Sequence, residues 1–274
     1  IDILIDLNGH TAENRLNMFA LKPAPIQISY LGYPNTTGLS TIDYRFTDAI
    51  ADPQQNQAFY SEKLLYLPNI FLCYNPAKES PVLTPPPCID RGFITFGSFN
   101  TLRKISTKVL SVWCEILNKI PNSELFLKNG SLGCPHTKSI ILRTFTEAGI
   151  AKERIHLHSF QRLTQDHLAF YNKIDISLDT FPYNGTTTTC EATWMGVPTI
   201  TLCREEHRNR VGKTILNQVG LEDFVANNSQ EYIEKAIKYS KSISELSILK
   251  NSLRPIIENS YLCTPLAFTQ NLEG

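Results

Sequence analysis

Residues 174–198 read IDISLDTFPYNGTTTTCEATWMGVP, and the prediction of the fold starts from this stretch. An apolar strand pattern over 174–179 is broken by a Pro-Tyr-Asn-Gly turn that ends at Gly185. A helix is predicted over 190–195, and four threonines, 186–189, come just before it. A strand, a glycine-containing loop and a helix N-terminus with hydroxyls and free backbone N–H groups form a site for an anion.

The stretch leaves two interpretations of this site open. Glu191 falls in the first turn of the predicted helix, where a carboxylate can reach a ribose hydroxyl rather than a phosphate. That placement favours a nucleotide that carries a diphosphate. The alternative, which explains the same residues equally well, is a strand–helix connection whose threonines only cap the helix.

The composition narrows the class of protein. The chain has 274 residues, of which 42% are hydrophobic and 19% are charged, as in a well-buried α/β protein. Lys and Arg number 26, as do Asp and Glu, and this balance argues against a general binder of nucleic acid or of membrane surfaces. No apolar run is long enough to cross a bilayer and no signal peptide opens the chain, so we expect a cytoplasmic protein.

The cysteines and the first residue carry two further expectations. Seven cysteines are scattered without a CxxC pair, which is typical of reduced, mostly buried thiols and gives no support to a structural zinc site. The chain opens directly in a strand pattern with no methionine, so we expect a fragment whose upstream part is missing.

Strand and helix patterns alternate along the chain, which predicts parallel, doubly wound α/β sheets. The predicted strands are 1–7, 26–31, 42–46, 63–67, 92–100, 124–128, 154–157, 174–179 and 199–202, and the predicted helices are 11–20, 107–119, 138–148, 164–172, 190–195, 210–219 and 230–239. Residues 75–91 contain five prolines and no periodicity, as in an interdomain linker. We therefore predict a partial N-terminal lobe over 1–74 and a C-terminal lobe over 92–274.

Lys104 and His167 are the first candidates for chemistry. Lys104 follows the turn Gly97–Asn100 at a strand end, where an ammonium group can balance a diphosphate, although a lone lysine is more often solvated. His167 lies in the first turn of a predicted helix and could bond a phosphate or a base, or could simply cap or pack.

The other histidines give weaker signals. His10 follows a strand-ending turn, where it could contact a donor sugar or an acceptor. His156 and His158 are interpreted as structural because no spacing of acids makes them metal ligands, and His207 is expected in a solvated, charged loop. The absence of GxSxG, GxGxxG and Walker motifs weakens hydrolase, dehydrogenase and kinase interpretations.

Five segments carry a specific resemblance to a known family. They are DLNGHTAENR (6–15), FALKPAPIQISYLGYPNTTG (19–38), DYRFTDAIADP (43–53), GFITFGSFN with Lys104 (92–104) and LDTFPYNGTTTTCEATWMGVPTITL (178–202). Together and in this order they resemble the catalytic region of the O-GlcNAc transferase/SPINDLY family, glycosyltransferase family 41. The resemblance implies a GT-B fold, in which two Rossmann-like lobes hold a nucleotide-sugar in the cleft between them. It also implies no metal or other cofactor, TPR repeats upstream, protein acceptors, and no nucleic-acid or membrane partner.

The resemblance also assigns roles by position. Lys104 matches a lysine that contacts the diphosphate and supports departure of the leaving group. The other matched residues are Asn100 and Thr101 in the same loop, His167 at the nucleotide, Thr186, Thr187 and Thr188 at the phosphates, Glu191 near the ribose, and Leu31, Gly32 and Pro34 at the donor sugar.

Two departures from the family pattern bear on function. A histidine-bearing loop that opens the family's catalytic region has no counterpart in this sequence. Animal O-GlcNAc transferases have a histidine at the position of Thr186 and an aspartate at the position of Glu191. This chain is therefore closer to SPINDLY, whose plant members use GDP-fucose. The sequence predicts transfer of GlcNAc from UDP-GlcNAc, or of fucose from GDP-fucose, to Ser or Thr hydroxyls of proteins. A GT-B nucleotide-sugar epimerase and a catalytically degenerate nucleotide-binding module are the alternatives.

Overall fold

The computed structural model describes residues 1–274 and contains two parallel sheets. The first sheet has the strand order β1-β2-β3-β4, all parallel, with β1 (Ile3–Asp6), β2 (Ile26–Ser29), β3 (Tyr44–Thr47) and β4 (Lys63–Tyr66). The short helix α1 (Leu16–Phe19) lies between β1 and β2 and packs with Ile42 into a small apolar cluster. We call this part of the chain the N-lobe.

The second sheet has six parallel strands in the order β10-β9-β8-β5-β6-β7, and we call this part the C-lobe. Its strands are β5 (Thr95–Ser98), β6 (Glu124–Lys128), β7 (Ile155–His158), β8 (Ile176–Leu178), β9 (Thr199–Leu202) and β10 (Val225–Ala226). Its helices are α2 (Pro87–Arg91), α3 (Thr107–Lys119), α4 (Pro135–Glu147), α5 (Thr164–Ala169), α6 (Thr187–Trp194), α7 (Val211–Asn217), α8 (Ser229–Ser240), α9 (Ile243–Glu258) and α10 (Pro265–Glu273). Most of the 51-residue hydrophobic core lies here.

The chain reverses its direction across the C-lobe sheet between β5 and β8. The strands run outward from β5 through β6 to β7, and the next strand, β8, returns to the other side of β5. The carboxyl ends of neighbouring strands at such a reversal leave a crevice in which α/β proteins bind ligands. The loops after β5 and β8 therefore carry the candidate site.

Several predicted boundaries were wrong in detail. The predicted helix 11–20 shortens to α1, and the predicted helix 190–195 begins at Thr187 instead, because the threonines themselves take up helical geometry. The sequence patterns also missed β10 and α9. Strand β10 has only two residues, too few to show an alternating pattern.

The proline-rich segment 75–91 is less irregular than predicted. It contains α2, whose residue Cys88 donates its backbone N–H to Asp175, as does Thr95 of β5, at 2.9 and 2.8 Å. The backbone N–H of Tyr74 bonds the carbonyl of Leu262 at 2.7 Å, which brings the chain end back to the start of this segment. The division into domains at 75–91 remains a prediction, but the segment itself packs against the C-lobe.

None of the helices combines the length and the apolar composition that crossing a membrane requires.

Candidate active site

The helix N-terminus predicted from residues 174–198 lies in the crevice as an open anion site. Helix α6 starts after Thr186, and the backbone N–H groups of Thr187 and Thr188 have no acceptor within the protein. Thr186 and Thr188 are half-buried and Thr187 is exposed. Free N–H groups and the positive end of the helix dipole favour a bound anion at this position.

Helix α6 is also supported at its other end. Lys250 and Arg254 of α9 donate to the carbonyls of Met195 and Trp194, each at 2.9 Å. Two cations at a helix C-terminus satisfy carbonyls that have no partner in the helix and complement its dipole. Burial lowers the pKa of Lys250 to about 8, so the ammonium group remains largely charged at neutral pH. The helix that presents the anion site is thereby fixed against α9.

Asp179 organises the loop between β8 and α6. Its carboxylate is buried and accepts bonds from the backbone N–H of Thr180 at 2.8 Å and of Gly185 at 2.7 Å, and from the hydroxyl of Thr201 at 2.7 Å. Asn100 adds a fourth bond through Nδ2 at 3.3 Å. Burial raises the pKa of Asp179 to about 6, although these hydrogen bonds lower it by favouring the ionised form. The carboxylate connects the loops after β5 and β8. The sequence did not reveal this role, because a single aspartate at a strand end forms no distinguishing pattern.

Lys104 lies where the sequence predicted, beside the anion site. Its Nζ donates to the carbonyl of Asn184 at 2.7 Å and lies 4.0 Å from the centre of the Tyr183 ring. Burial lowers the pKa of Lys104 to about 8, while the charge of Asp179 opposes the shift. The amine is therefore mostly protonated at neutral pH, and the carbonyl that it bonds lies two residues before Thr186, after which α6 begins.

Asn100 and Thr101 complete the loop after β5. Asn100 is buried, and its Oδ1 accepts the hydroxyl of Thr188 at 3.0 Å, so it connects Asp179 to the α6 N-terminus. Thr101 is exposed, and its carbonyl accepts the backbone N–H of Lys104 at 2.9 Å in a short turn. The turn rather than the Thr101 side chain positions the lysine.

His167 and Glu191 meet in a half-buried network instead of pointing freely into the crevice. His167 Nε2 lies 2.8 Å from Glu191 Oε2, and the Tyr171 hydroxyl donates to the same oxygen at 3.2 Å. The other nitrogen of His167, Nδ1, contacts Lys128 Nζ. Glu191 thus lies within reach of His167 across the crevice, and both ring nitrogens of His167 are occupied within the protein.

Lys128 is a site residue that the sequence did not reveal. It is buried at the end of β6, and its Nζ lies 5.3 and 5.4 Å from the rings of Phe99 and Phe170. Burial lowers the pKa of Lys128 to about 8, opposed by the negative charge of Glu191. The only available sequence signal was a charged residue that closes an otherwise apolar strand, Glu124–Lys128.

The N-lobe contributes the loop of residues 31–38, which we call the N-lobe loop. Leu31 has a φ of 62°, and the N–H of Gly32 bonds the carbonyl of Tyr30 at 2.9 Å, so a tight turn centres on Leu31. A Cβ at Gly32 would lie 1.9 Å from the carbonyl oxygen of Leu7, which excludes any other residue there without movement of the backbone. Leu31 is exposed and Pro34 is half-buried.

His10 packs against the N-lobe loop. Its Nε2 lies 2.8 Å from the carbonyl oxygen of Thr37, and its ring meets Tyr33 edge-on with 5.2 Å between centres. Gly9 has a φ of 53°, and the buried Asp6 accepts its N–H at 2.8 Å. Asp6 therefore caps the turn before His10.

The expectation for His207 was wrong. The side chain is buried, and its Nδ1 lies 2.6 Å from Asp52 Oδ2 of the N-lobe segment, with the Phe71 ring edge-on at 4.8 Å. The charged neighbours in the segment REEHRNR made a solvated loop the natural prediction. Tertiary packing buries His207 of that loop against the N-lobe. His156 and His158 stack on Phe126 with ring centres 4.3 and 5.4 Å apart, in agreement with a structural role.

Clusters of three or more His, Cys, Asp or Glu side chains that could hold a metal ion do not occur in the structure.

Comparison with known proteins places this geometry in a family. The model for glycosyl transferase family 41 matches residues 1–84 and 88–272. The chain belongs to glycosyl transferase family 41. Its two parallel sheets, with the site at the carboxyl edge of the second, are the GT-B fold of glycosyltransferases.

Relatives of this family 41 chain include plant and bacterial proteins. It is 47% identical, over all of its 274 residues, to the SPINDLY protein of Petunia hybrida, a probable UDP-N-acetylglucosamine–peptide N-acetylglucosaminyltransferase, and covers 29% of that protein. It is 35% identical over its whole length to the SEC protein of Arabidopsis thaliana and covers 28% of it. The structure of a lysine-to-methionine mutant of the Thermobaculum terrenum O-GlcNAc transferase superposes with a TM-score of 0.93 at 37% identity, over all of this chain and 52% of that one.

The chain thus spans less than a third of the length of these curated family 41 relatives.

Gly185 gives a direct test of the anion site. A Cβ at this position would lie 2.4 Å from Thr188 Oγ1 and 3.0 Å from Asn100 Oδ1, so Gly185→Ala must displace side chains that line the α6 N-terminus. Overpacking of this kind costs about 1–3 kcal/mol, and we expect binding of a nucleoside diphosphate to weaken by roughly ten- to a hundredfold. Calorimetric titration with UDP and with GDP measures the effect.

The matched control is Gly130→Ala. A Cβ there would meet its nearest neighbour, Phe160, only at 3.9 Å, so we expect the substitution to leave the nucleotide affinity unchanged. Equal affinities of the Gly185→Ala variant and the wild type would show that the α6 N-terminus does not hold the ligand.

Proposed function

We propose that this family 41 chain forms part of a protein O-glycosyltransferase, which transfers a sugar from a nucleotide diphosphate to Ser or Thr hydroxyls of proteins. The observation that carries the proposal is the pairing of the Lys104 ammonium group with the unfilled N-terminus of α6 at the crevice. The ammonium group and the helix N-terminus both carry positive charge. Both lie at the carboxyl ends of the C-lobe strands, where α/β proteins bind ligands.

In the proposed reaction, the bond between the anomeric carbon and the diphosphate breaks as the acceptor oxygen attacks. Negative charge accumulates on the departing diphosphate, and Lys104 and the N–H groups of Thr187 and Thr188 stabilise it. Donors that are fixed in place before the reaction lower the barrier because they need not reorganise as the charge develops. We propose that these groups act without a metal or another cofactor.

On the nucleotide side, we propose that His167 and Glu191 contact the nucleoside, with Lys128 and Tyr171 holding them in place. The chain of contacts from Lys128 through His167 to Glu191 fixes the ring and the carboxylate in one arrangement. On the other side of the cleft, Leu31, Gly32, Pro34 and His10 are proposed to face the sugar and the acceptor.

The donor is either UDP-GlcNAc or GDP-fucose. The higher identity to a SPINDLY protein than to SEC, 47% against 35%, supports the SPINDLY branch of the family. We propose further that the intact protein acts in the cytoplasm on protein substrates that its upstream TPR repeats recruit, and that nucleic acid and membranes are not its partners.

The experiment that tests the function uses the intact protein with each donor, in the presence and absence of a protein acceptor. Mass spectrometry then follows a gain of one N-acetylhexosamine or one deoxyhexose on Ser or Thr. A mass gain with one donor only is the expected result and identifies the donor. An isomerised sugar without acceptor modification would show an epimerase, and nucleotide binding without any product would show a degenerate module.

A further inference from the structure

Two buried charged residues of the N-lobe, Arg45 and Glu62, hold the N-lobe loop from opposite sides. We propose that they are positioning residues that fix the sugar and acceptor side of the cleft. This proposal rests on the proposed function. Neither residue contacts the proposed nucleotide site, and the two residues bond different groups of the loop.

Arg45 holds the first half of the loop. Its guanidinium donates through Nη2 to the carbonyl of Tyr33 at 2.8 Å, and through Nη1 to the carbonyl of Asn35 at 3.1 Å and the hydroxyl of Ser29 at 3.2 Å. Only 1% of Arg45 is exposed. A planar fork of donors can bridge two carbonyls of one loop, and a lysine ammonium cannot reproduce that geometry.

The charge of Arg45 is compensated by hydrogen bonds to loop carbonyls and not by a neighbouring carboxylate. No carboxylate lies within ion-pair distance of its guanidinium; the ring of Tyr60 lies 5.7 Å away, and Nε has no partner within the protein. A buried charge without a counter-charge is costly, so the loop carbonyls supply much of its compensation. Arg45 and the loop therefore stabilise one another in a single arrangement.

Glu62 holds the second half of the loop. Its carboxylate accepts the backbone N–H of Thr37 and the hydroxyl of Thr36, each at 2.7 Å, and also the hydroxyl of Thr37. Glu62 is fully buried, yet these bonds outweigh the effect of burial and keep its pKa below the ordinary value. The carboxylate is therefore ionised at neutral pH and binds only donors.

Arg45 and Glu62 each bond the loop groups of complementary hydrogen-bonding character. Arg45, a pure donor, takes carbonyls at positions 33 and 35, and Glu62, a pure acceptor, takes the N–H and hydroxyl groups at positions 36 and 37. We call Arg45 and Glu62 the clamp. The residues that the clamp holds directly follow Leu31, in its left-handed conformation, and Gly32, against the carbonyl of Leu7. A turn of this kind persists only where its surroundings determine it, and the clamp fixes the chain on its C-terminal side.

The location of the clamp predicts a separation of effects. Its bonds lie within the N-lobe, whereas the proposed nucleotide site is built on the loops of the C-lobe. Loosening the clamp should therefore impair transfer and leave nucleotide affinity intact. A displacement of about 1 Å in a positioning group can reduce the rate by about 10²-fold.

The test uses Arg45→Lys and Glu62→Gln in the intact protein, with Arg143→Lys and Glu147→Gln as controls from the exposed pair on α4. For Arg45→Lys we expect kcat/KM for transfer to fall by about 10²-fold, with the Kd for the nucleoside diphosphate unchanged. Amide hydrogen exchange in the segment 33–38 should become at least about tenfold faster. Losing one hydrogen bond to a charged group shifts the opening equilibrium of the loop by about that factor. Glu62→Gln should change the same quantities less, because its amide oxygen still accepts the Thr37 N–H.

Two results would overturn the proposal. One is wild-type transfer and wild-type exchange in the Arg45→Lys variant, which would show that the clamp does not hold the loop. The other is a parallel loss of nucleotide affinity and of thermal stability, which would show general unfolding rather than positioning. Should the wild-type protein itself transfer no sugar, the proposed function fails, and the exchange measurement still decides whether Arg45 and Glu62 order the loop.

Discussion

Lys104→Ala is expected to reduce sugar transfer by the intact protein by about 10²–10³-fold, the usual effect of removing one preorganised group that stabilises developing charge. The ammonium group stands beside the α6 N-terminus and bonds the carbonyl of Asn184. Without it, the departing diphosphate keeps only the backbone N–H groups of Thr187 and Thr188. Steady-state rates with each donor and a protein acceptor measure the loss.

The fold should survive Lys104→Ala. The side chain is half-buried and makes one hydrogen bond, so its removal leaves the core intact. Lys108→Ala is the matched control, because this lysine lies exposed in the first turn of α3, four residues further along the chain. Near-normal turnover of the Lys104→Ala variant, or an equal loss in both variants, would contradict the role of Lys104.

Asp52→Ala should lower the free energy of unfolding by several kcal/mol, because each buried donor left without an acceptor costs about 1–3 kcal/mol. Asp52 is fully buried and accepts bonds from His207 Nδ1, the Thr47 hydroxyl at 2.5 Å and the Tyr60 hydroxyl at 2.9 Å. Burial lowers the pKa of His207, so its neutral ring donates the Nδ1 proton. Loss of the carboxylate leaves these donors buried without an acceptor.

Thermal or chemical unfolding measures this effect, with Asp90→Ala as the control, because Asp90 is exposed in α2. The pair joins the two lobes, as do the bonds from Asn56 Nδ2 to the Glu205 carbonyl at 2.8 Å and from Arg210 Nε to the Ile50 carbonyl at 2.7 Å. A change in unfolding free energy below about 1 kcal/mol, the range typical of surface pairs, would show that the Asp52–His207 contact is energetically minor.

The same pair predicts how the effect depends on pH. Burial raises the pKa of Asp52, but the hydrogen bond with His207 outweighs it and holds the pKa at about 2, below the ordinary 3.8. A lowered pKa means that the ionised form stabilises the folded state, fully above pH 3.8 and progressively less as the pH falls toward 2. The difference between wild type and Asp52→Ala should therefore be constant near neutrality and shrink in acid.

The sequence alone predicted the main features of the nucleotide side. Apolar runs separated by turn residues gave the alternation of strands and helices, because burial in parallel sheets depends on local apolar patterns. The glycine and threonines before α6 gave the anion site, because a helix N-terminus leaves free N–H groups whatever surrounds it. Lys104 was found by the same reasoning, from its place just after a strand end.

Residues that act through distant contacts could not be predicted in this way. His207 and Asp52 are 155 positions apart in the chain, and Lys128 meets His167 across 39 positions. Arg45 was one charged residue in a short strand, with nothing nearby to show that it would be buried beneath a loop. Their roles depend on which loops the sheets bring together, and hydrophobic periodicity does not contain that information.

The sequence by itself therefore determined the fold class and the family resemblance, and it predicted an anion site at residues 185–188, because all three depend on local patterns of apolar, glycine and hydroxyl residues. Only the tertiary structure decided how His167 and Glu191 are held, how the lobes are joined at His207, and how Arg45 and Glu62 fix the N-lobe loop. The physical reason is burial: it makes an unpartnered charge costly, and only the folded chain shows which partner each buried charge has.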